Sequence, residues 1–277
     1  MIIFTTNYID MTIRNWIKQQ ESLGKPTFSY RDVKVNFSDM PEQHIMNELY
    51  RLSRQKIIQS VYKSFYTVIP IQYSVRGIVP PTYYIDQLME YLAKPYYISL
   101  LSAAEIHGAA HQRPQRFSVT TLRPVVTTSA RKNNLIVWNY RKDIPENLLC
   151  SKNSETGIIH YSSAELTAVD LVQFEHQIGG LSVAATVLSE LVETIDFSKN
   201  SNTLFQTASL TSIQRLGYIL DYILEETKQA EMLYQQLCLL NKKPGYTPLA
   251  HCLPIRGNKR NNKWKIIINQ TIEIDDI

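Results

Sequence analysis

Residues 41–70 read PEQHIMNELYRLSRQKIIQSVYKSFYTVIP, and the fold assignment starts from this stretch. Its first half has apolar residues at helical spacing, which are therefore expected to face a core: Ile45, Met46, Leu49 and Leu52. Ser38 or Asp39 is the expected cap, and Pro41 suits the first turn, where its missing N–H costs nothing. The segment from Pro41 to Arg54 is thus predicted to be an amphipathic helix.

The polar side of this helix carries side chains of a particular kind. A rotation of about 100° per residue brings four of them within about 60° of one another, opposite the apolar side. We call these four the polar stripe: Gln43, Asn47, Tyr50 and Arg54. Arginine, asparagine and glutamine can make two-point contacts with guanine and adenine, and His44 and Arg51 flank the stripe where phosphates would lie. The pattern predicts a helix that enters a DNA major groove; a solvated helix face is the alternative.

The second half of the stretch has the composition of a β-hairpin. Two runs, 57–62 and 65–69, are rich in β-branched and aromatic residues, and Lys63-Ser64 separates them. Beside a DNA-reading helix, such a hairpin would place Lys63 near a phosphate, with Ser64 next to it. A two-residue turn usually has glycine or asparagine at a positive φ, so this hairpin is expected to be longer or looser than the pattern suggests.

Two further helix patterns precede the stretch. The first has an apolar face made of Ile9, Ile13, Trp16 and Ile17, and Gly24-Lys25-Pro26 ends it. Ser29 and Asp32 form a capping box that opens a short second helix. Three helices followed by a hairpin are the pattern of a winged helix-turn-helix, which we predict as a DNA-binding domain over residues 1–70.

A cluster of chain breakers follows this domain. Gly77, Pro80 and Pro81 predict a linker over residues 71–82. Residues 83–277 mix helical patterns with strand-like runs at 117–121, 135–138 and 264–269, and Ser162 with Glu165 resembles a capping box. The predicted fold class is α+β, with an N-terminal winged helix-turn-helix followed by a larger mixed α/β C-terminal domain.

The composition is that of a globular and mildly basic chain. Of its 277 residues 44% are hydrophobic and 19% charged, and the formal net charge of +4 permits a polyanionic partner without requiring one. One segment contains five basic residues and no acidic one: Arg256, Lys259, Arg260, Lys263 and Lys265. This second basic patch is interpreted as a solvated loop, a second DNA contact, or a surface for a protein partner or that partner's nucleic-acid substrate. Trp264 within it is expected to be a core anchor rather than a base-stacking residue.

Several function classes find no support in the sequence. The three cysteines, Cys150, Cys238 and Cys252, include no CxxC pair, so neither a disulfide framework nor a zinc site is expected. His107 and His111 have metal-ligand spacing, but Gly108 follows the first where a zincin has glutamate, so an ordinary helix end is preferred. No signal-peptide pattern or run of 18 apolar residues occurs, so the chain is interpreted as cytoplasmic and without a membrane contact. We predict no catalytic residue, no cofactor and no metal.

The strongest enzymatic alternative is a Mg²⁺-dependent nuclease. Glu165 and Asp170, with Lys263 and Lys265, could supply its carboxylates and its lysine. Glu165 is better explained as a capping residue, and Asp170 as an early-turn residue that the helix dipole favours. A protein-interaction module built on a winged helix is a further alternative.

Three segments of the second domain carry a family resemblance. Residues 96–108 (YYISLLSAAEIHG), 163–171 (SAELTAVDL) and 215–220 (RLGYIL), together with the N-terminal pattern, resemble the AbiEi antitoxin family of abortive-infection, type IV toxin-antitoxin systems. The resemblance implies that the winged domain binds operator DNA and represses its own operon. It also implies that the C-terminal domain opposes a co-encoded nucleotidyltransferase toxin without needing a stable complex with it. The leading hypothesis is therefore a non-enzymatic, DNA-binding antitoxin.

Overall fold

The computed structural model describes residues 11–109, 114–126, 135–198, 201–240 and 243–274. Two residues used above, Ile9 and His111, lie outside these ranges. The described chain divides into two compact units. The first comprises the described residues of 1–94, 126–134 and 153–159, and the second comprises those of 95–125, 135–152 and 160–277.

The first unit contains helices and a three-stranded antiparallel sheet. Its elements are α1 (Ile13–Ser22), β1 (Thr27–Ser29), α2 (Tyr30–Asn36), α3 (Glu42–Arg54), β2 (Ile58–Tyr62), β3 (Phe65–Val68) and α4 (Ile85–Tyr91). The strand order is β1-β3-β2. One core joins α1, α2, α3 and the sheet: Ile13, Trp16, Ile17, Phe28, Val33, Ile45, Leu49, Leu52, Ile58 and Val68. The predicted helices and hairpin are present, and β1 is a strand that the sequence analysis missed.

The ends of α1 and α2 follow their local sequence. Gly24 has a φ of 73°, which glycine adopts at little cost, and the N–H of Lys25 donates to the carbonyl of Gln20 at 2.9 Å. At the start of α2, the Ser29 hydroxyl accepts from the Asp32 N–H, and the Asp32 carboxylate accepts from the Ser29 N–H at 2.7 Å. The predicted capping box is confirmed.

The start of α3 differs from the prediction. Pro41 occupies the N-cap position, and no side chain caps the helix. The Ser38 hydroxyl instead donates to the Asp39 carboxylate at 3.3 Å. Both residues precede the one position from which a side chain reaches the first-turn N–H groups, so the predicted cap is wrong.

Met46 is the second difference in α3. Ile45, Leu49 and Leu52 are buried as predicted, but Met46 is 57% exposed. Met46 lies about 60° from Leu49 around the helix axis, at the edge of the apolar side, where the core no longer covers it. Its assignment to the core is therefore wrong.

The hairpin keeps its two-residue turn. Tyr62 pairs with Phe65, and a bulge at Val61 separates this pair from Ser60 and Tyr66. Ser64 takes the positive φ of 59° that the turn requires. The expectation of a longer or looser hairpin is wrong, because serine adopts the left-handed conformation and the bulge adds twist.

Residues 71–84 contain two short 3₁₀ turns, Ile71–Tyr73 and Pro81–Tyr83. Ile69, Val79 and Tyr83 form a small apolar cluster beside them. The Thr156 hydroxyl donates to the Tyr83 carbonyl at 2.6 Å. The residues predicted as a linker thus lie within the first unit, which continues to Lys94.

The second unit combines two sheets with helices, although Asn153 at the end of β7 and Ile158 and Ile159 at the start of β8 belong to the first unit. The sheet elements are β4 (Tyr96–Ile98), β5 (Phe117–Leu122), β6 (Ile136–Arg141), β7 (Leu149–Asn153), β8 (Ile158–Ser162), β9 (Thr247–Pro248), β10 (Lys259–Asn261) and β11 (Ile266–Ile268). The helices are α5 (Leu100–His107), α6 (Ala164–Gln173), α7 (Leu181–Leu191), α8 (Ser201–Thr207), α9 (Leu210–Tyr218), continued by a π-helical turn (Ile219–Ile223), and α10 (Thr227–Leu239). The strand orders are β6-β5-β4-β8-β7 and β10-β11-β9.

Mixed pairing within the larger sheet and the helices packed on it make the fold class α+β, as predicted. β4 pairs with β5 antiparallel, whereas β5 with β6 and β4 with β8 run parallel. The helix cap predicted at Ser162 is displaced by one residue, since Ser163 caps α6 by accepting from the Leu166 N–H at 3.3 Å. No helix in the described ranges has both the length and the apolar character needed to cross a membrane.

Candidate nucleic-acid interface

The polar stripe lies on the exposed side of α3. Its four residues, Gln43, Asn47, Tyr50 and Arg54, are all exposed, while the other side of the helix is held by the core. The rotation expected from the sequence therefore brings these side chains together on one surface. His44 and Arg51 are exposed beside them.

Two amides of the stripe are joined to each other. The Gln43 side-chain N–H donates to the Asn47 side-chain oxygen at 3.0 Å. Within the described residues these side chains make no other hydrogen bond. The pair thus leaves the Asn47 amide N–H₂ able to donate and the Gln43 carbonyl able to accept. These groups complement the adenine edge, where N7 accepts and N6–H₂ donates.

The two arginines beside and within the stripe differ in their partners. Arg51 donates two hydrogen bonds to the Glu48 carboxylate, at 2.7 and 2.6 Å. These hydrogen bonds lower the pKa of Glu48 and raise the pKa of Arg51. The guanidinium of Arg54, by contrast, has no ion-pair partner in the part of the chain that the structure describes. Of the two, only Arg54 presents an uncompensated charge.

The turn of the hairpin is fixed to the start of α2. The Ser64 carbonyl accepts from the Tyr30 N–H at 2.8 Å, while Lys63 is exposed. This bond holds the turn, and with it the base of the Lys63 side chain.

A cleft of about 270 Å³ lies between α3 and the hairpin. Its lining residues are Tyr30, Met46, Leu49, Tyr50, Ser53, Ser60, Ser64 and Tyr66. Tyr50 is 68% exposed at its edge. The Tyr30 hydroxyl is enclosed and lacks a hydrogen-bond partner among the described residues. The cleft does not follow from the sequence pattern, which places Met46 in the core.

The second basic patch is only partly free. Lys263 lies 2.9 Å from the Asp221 carboxylate and 3.4 Å from that of Glu231. The cationic groups of Arg260 and Lys265 lie 5.1 and 5.2 Å from the centre of the Tyr246 ring. Arg256 and Lys259 are exposed.

Trp264 is a core residue, as expected. It is fully buried, and its indole N–H donates to Asp221 at 2.9 Å. Its ring also occupies the space that a side chain at Gly217 would need. Stacking of Trp264 on a base is therefore excluded.

The carboxylates considered for a nuclease serve structural roles. Asp170 lies near the end of α6 rather than in its first turn, and it is fully buried in an ion pair with Arg141. Glu165 accepts from the Asp196 N–H at 2.9 Å and not from the N-cap residue of α6, so its explanation as a capping residue is wrong. The early-turn explanation of Asp170 is therefore wrong, and among the described residues no cluster of three or more histidine, cysteine or acidic side chains could hold a metal.

The buried pair belongs to a network that the sequence analysis missed. The Tyr97 hydroxyl donates to Asp170 at 2.9 Å and accepts from Arg141 at 2.8 Å, and Arg141 also donates to the Thr207 carbonyl at 2.9 Å. Burial raises the pKa of Asp170, with Arg141 acting against it. Burial lowers the pKa of Arg141, but Asp170 outweighs it and raises the pKa overall. The network joins β4, β6 and α6.

A protein-family model matches residues 97–222 of this chain, and its description is "AbiEi antitoxin C-terminal domain". Residues 97–222, which we call the AbiEi domain, therefore match the C-terminal domain of that family. The family resemblance expected from the sequence is confirmed. The AbiEi domain associates the chain with an antitoxin role in a toxin-antitoxin system.

A solved structure shares the fold. The crystal structure of the RV2827C protein from Mycobacterium tuberculosis matches with a TM-score of 0.64 and 13% sequence identity. The match covers 91% of this chain and 90% of that chain. No curated protein matches this chain.

Proposed function

We propose that this chain is a DNA-binding antitoxin of the AbiEi type that represses its own operon through residues 1–70, acting as a winged helix-turn-helix. The observation that carries the proposal is the exposed polar stripe on α3, with its joined Gln43–Asn47 amides and with Arg54, which has no ion-pair partner among the described residues. An exposed helix with such side chains next to a hairpin fits the way a recognition helix enters a major groove.

Each residue has a place in this proposal. Gln43, Asn47 and Arg54 contact base edges, which determine sequence preference. Tyr50, Arg51, His44, Lys63 and Ser64 contact the sugar-phosphate backbone, which determines position and the dependence on salt. The operator DNA of the chain's own operon is the nucleic-acid partner, and the cytoplasm is the place of action.

The AbiEi domain has the second role. We propose that it counteracts a nucleotidyltransferase toxin, with the family match over residues 97–222 as support. Direct contact between the two proteins is not part of the proposal. The second basic patch lies outside residues 97–222 but within the second unit, and it is a candidate surface of that unit, through Arg256, Lys259, Arg260 and Lys265.

The test is binding of the full chain to the DNA upstream of its own gene. Asn47→Ala and Arg54→Ala are each expected to relax sequence preference, since one base-edge contact is worth about 1 to 3 kcal/mol. Asn15→Ala and Lys18→Ala are matched controls, because both residues are exposed on α1. A footprint that is identical for the wild type and Asn47→Ala would mean that α3 does not read the bases.

The same DNA separates the proposal from a nuclease. Labelled DNA is incubated with the chain in Mg²⁺ and, in parallel, in EDTA. Binding without cleavage supports a non-enzymatic role. Cleavage that requires Mg²⁺ would contradict it.

A further inference from the structure

Met46 is an apolar side chain that the fold leaves at the surface. It is 57% exposed on α3, about 40° around the axis from Tyr50 and on the side of the hairpin. In this position the Met46 side chain does not pack in the core. Its neighbours in the cleft, Leu49, Tyr30 and Tyr66, extend the apolar surface inward.

The surroundings of this apolar surface are cationic. The acidic residues of α3 are both engaged, since Glu42 pairs with Lys34 and Glu48 pairs with Arg51. Arg54 on α3 and Lys63 on the hairpin have no acidic partner among the described residues. A ligand that complements this surface therefore carries negative charges opposite Arg54 and Lys63 and an apolar group opposite Met46.

A DNA major groove has that chemistry at one kind of base pair. The C5-methyl of thymine is the apolar group on the floor of the groove, and adenine beside it presents N7 as an acceptor and N6–H₂ as a donor. The joined Gln43–Asn47 amides carry the matching donor and acceptor, one helical turn or less from Met46.

From this we infer that Met46 reads a thymine methyl group and that the DNA site recognised by α3 contains an A·T pair at the position of Met46. The inference rests on the proposed DNA-binding function and adds the class of base pair that the site prefers. Tyr50 and Leu49 line the same cleft as Met46.

The experiment replaces single thymines by uracils in the bound segment of the upstream DNA, which removes one methyl group at a time. With the full-length wild type, one position is expected to weaken binding by about four-fold, the value of one buried methyl group. Met46→Ala is expected to bind the thymine DNA more weakly and to lose the difference between thymine and uracil at that position. Met46→Leu keeps an apolar contact and should retain the difference.

Met11→Ala is the matched control, because Met11 is 53% exposed and lies outside α3. It should keep the full thymine–uracil difference. Circular dichroism and the thermal midpoint of Met46→Ala should match the wild type, since Met46 is outside the core.

The outcomes distinguish the inference from the proposed function. If the wild type binds the upstream DNA but no uracil position loses its effect in Met46→Ala, the inference is wrong and the proposed function stands. If Met46→Ala binds the upstream DNA like the wild type but no longer binds a protein that the wild type binds, the cleft holds a protein and the inference is wrong. If the wild type binds no upstream DNA, both fail.

Discussion

At the scale of single residues, the side chains on α3 differ in how free they are to act. Arg51 and Arg54 are both exposed, yet two hydrogen bonds tie Arg51 to Glu48. These bonds lower the pKa of Glu48, so the stabilisation from the ion pair is present at neutral pH and is lost only as the pH falls through that lowered value. The charge of Arg51 is therefore largely compensated in the free protein.

Glu48→Gln should release Arg51. We expect tighter DNA binding and a salt dependence steeper by about one phosphate contact. The measurement is the affinity for upstream DNA across a salt series. Glu90→Gln, an exposed glutamate on α4, is the control for the added net charge. An unchanged slope in Glu48→Gln would mean that the pair with Glu48 does not keep Arg51 from phosphate.

The backbone conformation of Ser64 costs free energy of folding. Its φ of 59° is a left-handed conformation that glycine adopts without strain. Ser64→Gly should stabilise the hairpin by about 1 kcal/mol. Amide exchange of β3 in the full chain measures this, with slower exchange expected. Ser60→Gly, on the extended part of β2, should have the opposite effect, and equal effects would contradict the argument.

The sequence predicted these residues unequally. The sides of α3 follow from helical spacing, so the exposure of Asn47 and Arg54 could be read in advance. The pairing of Glu48 with Arg51 could also be predicted, because residues three apart are neighbours on a helix surface. The exposure of Met46 could not be predicted from spacing, because it depends on how far the hairpin covers α3.

At the scale of elements, one buried network connects β4, β6 and α6. Arg141 and Asp170 are buried together, with the Tyr97 hydroxyl bonded to both. Long sequence separation conceals such a network, because Tyr97 is 73 residues from Asp170. The sequence could place Asp170 on a helix but could not identify its partner.

Removing one partner of this pair leaves an uncompensated charge in the core. Arg141→Met should therefore destabilise the second unit by about 3 to 5 kcal/mol, and so should Asp170→Leu through the charge left on Arg141. The double variant should lose much less than the sum. Urea unfolding of the four proteins gives this coupling directly. Additive losses would show that the pair does not act as a unit.

The packing of α9 on the segment before β11 depends on a glycine. A Cβ at Gly217 would lie 2.1 Å from the Trp264 ring, whereas a Cβ at Gly245 would meet nothing within 4 Å. Gly217→Ala should destabilise the second unit by about 1 to 3 kcal/mol, because the fully buried ring must move. Gly245→Ala is the control and should unfold like the wild type. Equal unfolding midpoints for both variants would contradict the steric argument.

The RLGYIL segment illustrates what a motif can and cannot predict. Its apolar residues Leu216, Ile219 and Leu220 are buried, as their spacing indicates. The reason for Gly217 appears only with Trp264, which lies in the turn between β10 and β11. Family motifs of this domain thus report on packing, and for that reason they identified the family without indicating a site.

At the scale of the whole molecule, the two units have separate cores and separate proposed tasks. The core of the first unit includes Trp16, Ile45 and Leu52, and that of the second includes Leu188, Leu216 and Trp264. The fold class followed from the order of helical and strand patterns. The extent of the first unit did not, because residues 153–159 join it from a distant part of the sequence.

Separate cores imply that the two proposed tasks can be lost independently. Asn47→Ala alters an exposed side chain of the first unit, so it should raise transcription from the upstream DNA while protection against the toxin stays intact. Gly217→Ala weakens the core of the second unit and should reduce protection at elevated temperature, while operator binding at low temperature persists. A reporter fused to the upstream DNA and a growth assay with the toxin expressed measure the two tasks in the same strains. Loss of both tasks in Asn47→Ala would mean that protection acts through repression of the operon, and the AbiEi domain would then have no independent role.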